Sequence, residues 1–84
     1  MPKTLRTPAH TALMQSLISF RKQQNFTQQQ LASAIGRPQS YVAKVETGER
    51  RIDAVELVIW SLALKVSTED ILRPVEDALV RKAP

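Results

Sequence analysis

The chain has 84 residues, no cysteine, a single histidine and a formal net charge of +4, with a sequence pI near 10.0. A chain of this length supports one domain that buries only about 60% of its unfolded surface, so it is marginal alone and gains from a partner subunit. The lack of cysteine excludes a disulfide framework and a cysteine-rich zinc site, His10 cannot build a metal centre by itself, and no apolar run reaches the roughly 20 residues that span a bilayer.

Charge is unevenly distributed. Residues 1–51 hold eight Lys or Arg against Glu46 and Glu49, a balance of +6, whereas residues 52–84 hold four basic against six acidic side chains, a balance of −2. A polyanion-binding face is therefore expected in the first half.

The first ten residues, MPKTLRTPAH, carry charge but no apolar stretch, so neither a signal peptide nor a membrane anchor is expected. Residues 1–8 read as a flexible basic arm, either an ordinary terminus or a segment that touches a DNA minor groove or phosphates. Thr7 before Pro8 is a helix start, with Thr as N-cap and Pro at the first helical position. Leu13, Leu17 and Phe20, with Met14, Ile18 and Arg21, recur at three- and four-residue spacing and predict a first helix ending near Gln24-Asn25.

Thr27 and Gln30 form a capping-box pattern that opens a second helix over 28–35. Gly36 closes it in the left-handed region, and Pro38 leads into a third helix over about 39–47 that Gly48 ends in the same way. Two helices joined by so tight a turn must cross steeply, which leaves the second of them projecting.

Arg50 and Arg51 lie in a charged loop, read either as phosphate contacts or as a solvated pair. Asp53 with Glu56 repeats the capping box and predicts a fourth helix over 54–64. That helix is apolar almost all round, so one side is expected to meet another chain. Trp60 within it is read as core, not as a base-stacking platform. Ser67 to Asp70 caps a short fifth helix ending at Ile71-Leu72, and Pro74 restarts the chain into a further short C-terminal helix with Val75, Ala78 and Leu79 on one face.

Residues 28–47 carry Gln28, Leu31, Ala32, Ile35, Gly36, Val42, Val45 and Glu46 in the pattern Gln-x-x-Leu-Ala-x-x-x-Gly, with apolar residues six and nine positions after the glycine. In this the chain resembles the phage Cro/repressor-like, or XRE, family of bacterial regulators, from about Leu13 to Leu72. It departs from the family's pattern at Pro38, where a Ser or Thr cap is usual, and at Arg37, commonly apolar. The resemblance implies an all-α, lambda repressor-like bundle of five short helices: a helix-turn-helix domain over 9–73 and a C-terminal extension over 74–84 that can contact a dimer partner.

It also implies roles for particular residues. Gln39, Ser40 and Lys44 would read base edges, as a Gln amide can pair with adenine and a Lys ammonium with guanine acceptors. Tyr41 would join them at a thymine methyl or the backbone, or else pack on the neighbouring loop. Gln28 would meet a phosphate and brace helix three, and Arg37, the added cation beside that helix, with Thr47 and the loop cations Arg50 and Arg51, are further expected phosphate contacts. Arg21 and Glu46 would form a partly buried ion pair tying helix one to helix three.

The function expected is that of a sequence-specific, double-stranded DNA-binding transcriptional regulator, a homodimeric repressor that sets the helix at 39–47 on a palindromic operator. Ile59, Leu62, Val75 and Leu79 are the expected dimer contacts. The alternative is an antitoxin-type module that neutralises a partner toxin and binds its own promoter. No cofactor, metal or enzymatic activity is expected, since there is no cysteine nucleophile, phosphate-cradling glycine loop or histidine cluster. The expected location is cytoplasmic, on bacterial or phage DNA.

Overall fold

A computed structural model describes residues 7–82, which form five α-helices: α1 (Pro8–Gln23), α2 (Gln28–Ile35), α3 (Gln39–Thr47), α4 (Ala54–Leu64) and α5 (Thr68–Lys82). Residues 1–6, the greater part of the expected basic arm, lie outside the described residues. The helix boundaries follow their punctuation. Thr7 Oγ1 accepts from the His10 amide at 3.1 Å, the Thr27/Gln30 box closes at 3.0 and 2.9 Å, and the Asp53/Glu56 box closes at 2.7 and 3.0 Å. These bonds satisfy amide donors that the first turn of a helix leaves without partners. α3 opens on Pro38 with no side-chain cap.

Gly36 ends α2 with φ of 71°, and the Arg37 amide returns to the Ala32 carbonyl at 2.9 Å. A Cβ at Gly36 would meet nothing within 4 Å, so backbone conformation alone demands glycine there.

The core is one cluster, built from Leu17 of α1, Leu31 and Ala32 of α2, Tyr41, Val42 and Val45 of α3, Leu57, Trp60 and Leu64 of α4, and Ile71 of α5. Ala32 is small where α3 crosses α2, and Val42 and Val45 hold α3 down by its inner side. α1 packs most extensively on α5, and α2 on α3.

The C-terminal region corrects the sequence reading. Pro74 does not separate two short helices; it sits inside a continuous α5. Proline there removes one amide donor and crowds the carbonyl four residues earlier. Two features offset that loss: the packing of α5 along α1, and the buried Ser16, whose hydroxyl donates to the Ile71 carbonyl at 2.8 Å.

Candidate nucleic-acid interface

The periodicity of α3 divides its side chains in two. Tyr41, Val42, Val45 and Glu46 are buried, while Gln39, Ser40, Lys44 and Thr47 are exposed. The exposed set recurs at helical spacing, so Ser40, Lys44 and Thr47 form one outward stripe that starts beside Gln39. Thr47 Oγ1 turns back to the Lys44 carbonyl at 3.2 Å.

Behind this stripe a chain of hydrogen bonds runs inward. Gln39 Nε2 donates to Gln28 Oε1 at 3.1 Å, and Gln28 Nε2 donates to Glu46 Oε1 at 2.9 Å. Glu46 in turn accepts from Arg21 Nε at 2.6 Å and Nη2 at 3.1 Å, and Arg21 Nη1 reaches the Phe26 carbonyl at 2.7 Å. The Arg21 and Glu46 side chains are only 10% and 4% exposed. A buried two-point ion pair is worth having only when its remaining polar atoms are bonded, and here Phe26 and Gln28 supply those bonds. Gln39 at the tip of α3 is thus braced through Gln28 to α1.

Tyr41 is placed otherwise than the base-reading role expected. One residue beyond Ser40 it is carried about 100° around the helix, into the core, and it is 7% exposed. Its hydroxyl accepts from Trp60 Nε1 at 3.1 Å, and the two rings meet edge to face with centroids 6.2 Å apart. Burial pushes its phenol above the ordinary 10.0. Tyr41 is a packing residue, and so is Trp60, which is fully buried.

Arg37, before α3, and Arg50, after it, lie with their guanidinium carbons 4.6 and 4.9 Å from the centre of the Tyr41 ring. Both also reach Glu56 Oε2, at 3.4 and 2.9 Å. Arg51 is exposed, and its carbonyl accepts from Arg50 Nη1 at 2.8 Å. Glu56 was legible only as a helix cap; its place between two arginines depends on contacts to positions remote in sequence.

The Asp53 amide and the Arg50 guanidinium hold the Glu56 carboxyl below its ordinary value of 4.5. A depressed carboxylate contributes stability that is present above 4.5 and is lost as pH falls through the folded-state value. The melting temperature of Glu56→Gln should therefore lie below that of wild type at neutral pH, and the gap should narrow as pH falls below 4.5 and through the lowered folded-state value. An equal gap at pH 7 and pH 3 would count against this coupling.

Of the expected dimer contacts, Ile59, Leu62 and Leu79 are exposed and Val75 is half-buried. Val55 and Val58, which the sequence reading passed over, are also exposed, at 70% and 47%. On α4 the four side chains Val55, Val58, Ile59 and Leu62 follow the spacing i, i+3, i+4, i+7 and make one uncovered apolar stripe, opposite the face that buries Leu57, Trp60 and Leu64.

The helix-turn-helix family (HTH_3) matches the chain over residues 17–71, and the chain belongs to it. It is a DNA-binding regulator of the XRE type. No curated protein matches the sequence. Among the described residues, no helix is long and apolar enough to cross a membrane and no group of three or more His, Asp or Glu is placed to hold a metal ion.

Proposed function

We propose that the protein is a homodimeric repressor, which sets α3 of each protomer into successive major grooves of a palindromic operator and so occludes the promoter. The observation that carries this reading is the outward stripe of α3, braced from behind by the Gln28–Glu46–Arg21 chain and flanked by Arg37, Arg50 and Arg51. Gln39, Ser40 and Lys44 read base edges, where a carboxamide, a hydroxyl and an ammonium together distinguish base pairs. Gln28, Arg37, Thr47, Arg50 and Arg51 meet phosphates and fix the register.

The uncovered stripe on α4 supports the dimer. An unbroken run of exposed aliphatic side chains is costly on the surface of so small a domain, and a second copy of the same stripe covers it symmetrically. Leu62 is the most exposed of the four at 72%. Leu62→Asp should give a helical monomer in sedimentation at micromolar concentration, with a lower melting temperature that no longer depends on protein concentration and greatly weakened binding to a two-half-site duplex. A wild-type protein that sediments as a monomer throughout would refute the dimer.

A further inference from the structure

Arg37, Arg50, Tyr41 and Glu56 form a cluster at one flank of α3 whose parts are arranged by charge. The anion is inside and the cations are outside: the Glu56 side chain is 9% exposed, whereas the Arg37 and Arg50 side chains are each 41% exposed. The Asp53 carboxylate is engaged by the Glu56 amide in the α4 cap. Two guanidinium groups share one carboxylate oxygen of Glu56, so the four side chains of the cluster carry one more positive than negative charge, while the exposed Asp53 keeps its own charge and also acts on Arg50.

The two arginines are held to different degrees. Arg50 is fixed, with Nη1 and Nη2 on the two oxygens of Glu56 at 3.1 and 2.9 Å and Nη1 also on the Arg51 carbonyl. The Arg37 guanidinium gives Glu56 a single long bond of 3.4 Å and makes no other hydrogen bond among the described residues. Its planar fork is oriented by the Tyr41 ring while donors remain for a ligand. Tyr41 follows Ser40 directly, so the ring ties this fork to the helix that carries the outward stripe.

We infer that the cluster is a preorganised clamp for one DNA phosphodiester beside the bases that α3 faces, with Arg37 as the group whose unused donors bond that phosphate, Arg50 as a second cation facing the backbone that also holds Glu56, and Tyr41 and Glu56 as positioning residues. This rests on the DNA-binding reading above and deepens it. The phosphate supplies the second anion that the two guanidiniums lack, and a fork held flat and ready loses less freedom on binding than a loose side chain. Glu56, although an acid next to a polyanion site, strengthens binding, because without it the two arginines would repel each other and spread.

That sign is what the test exploits. The probe is a fluorescein-labelled duplex of about 20 base pairs and arbitrary sequence, since phosphate contacts are sequence-independent. Binding is titrated at several salt concentrations, and the fold of each variant is checked by thermal melting. Arg37→Ala, at an exposed position, should bind roughly tenfold more weakly, with a log affinity against log salt slope smaller by about one. Glu56→Gln keeps an oxygen for the Asp53 amide and raises the net charge by one. A general field effect would tighten binding; the clamp requires weaker binding and a shallower slope. Binding by Glu56→Gln as tight as wild type or tighter, or an unchanged slope for Arg37→Ala, overturns the clamp and leaves the DNA-binding reading standing. A wild-type protein that binds no duplex overturns both.

Discussion

Glu46→Ala is expected to lower the unfolding free energy by about 3 kcal/mol, a large fraction of the 5 to 15 that a domain commonly has. The loss is not the net worth of the ion pair, which burial of both charges keeps small. It is the cost of what remains: the Arg21 guanidinium stays 10% exposed with the Phe26 carbonyl as its one partner, and Gln28 loses its acceptor. Replacing both partners with apolar residues, as in Arg21→Met with Glu46→Leu, should recover much of the stability, because no lone charge is left. The same double variant should not recover DNA binding, since Gln28 and through it Gln39 are no longer braced. Denaturant titration of the single and double variants checks the first claim; a change of a few tenths of a kcal/mol for Glu46→Ala would show that the pair holds nothing in place.

Trp60→Ala should cost a similar amount or more, about 3 to 5 kcal/mol. Trp60 has no exposed surface and projects from α4 into the core, its indole against Tyr41 of α3, so truncation opens a cavity that the neighbouring helices cannot close without moving. It also removes the indole donor from the Tyr41 hydroxyl. Trp60→Phe keeps most of the ring volume and isolates the second effect, which should lie near 1 kcal/mol. Thermal or denaturant unfolding distinguishes the two variants. Equal destabilisation by both would mean that the hydrogen bond, and not the packing, is what Trp60 contributes.

Much of the architecture was legible because it is written in local chemistry. Thr27 with Gln30, Asp53 with Glu56, and the glycines at 36 and 48 are signals that act within a few residues, and the structure starts and ends its helices there. The outward residues of α3 were expected from the family resemblance, and Gln39, Ser40, Lys44 and Thr47 are exposed. What failed to show in the sequence depends on contacts between remote positions. Pro74 reads locally as a break, and only the packing of α5 on α1, with the Ser16 bond, keeps the helix whole.

Tyr41 reads locally as a neighbour of Ser40 and a ring able to touch DNA, and the position of Trp60 and α4 turns it inward. Glu56 reads as a cap, and the turn before α3 brings Arg37 to it as well. On α4 the sequence marked Ile59 and Leu62 as surplus apolar residues. Val55 and Val58 were missed because in a helix apolar all round the register of the buried face is set by its neighbours and not by its own pattern.

The measurement that bears most directly on the account is selection of protein-bound sites from a pool of duplex DNA with a randomised central region. The expected result is an inverted repeat whose half-sites lie about 10 base pairs apart, centre to centre, which is the spacing of two recognition helices on one face of the duplex. Gln39→Ala and Lys44→Ala should change the enriched bases within each half-site and leave that spacing intact. Recovery of duplexes with no shared sequence, or of a single unrepeated site, would contradict a dimer that reads DNA through α3.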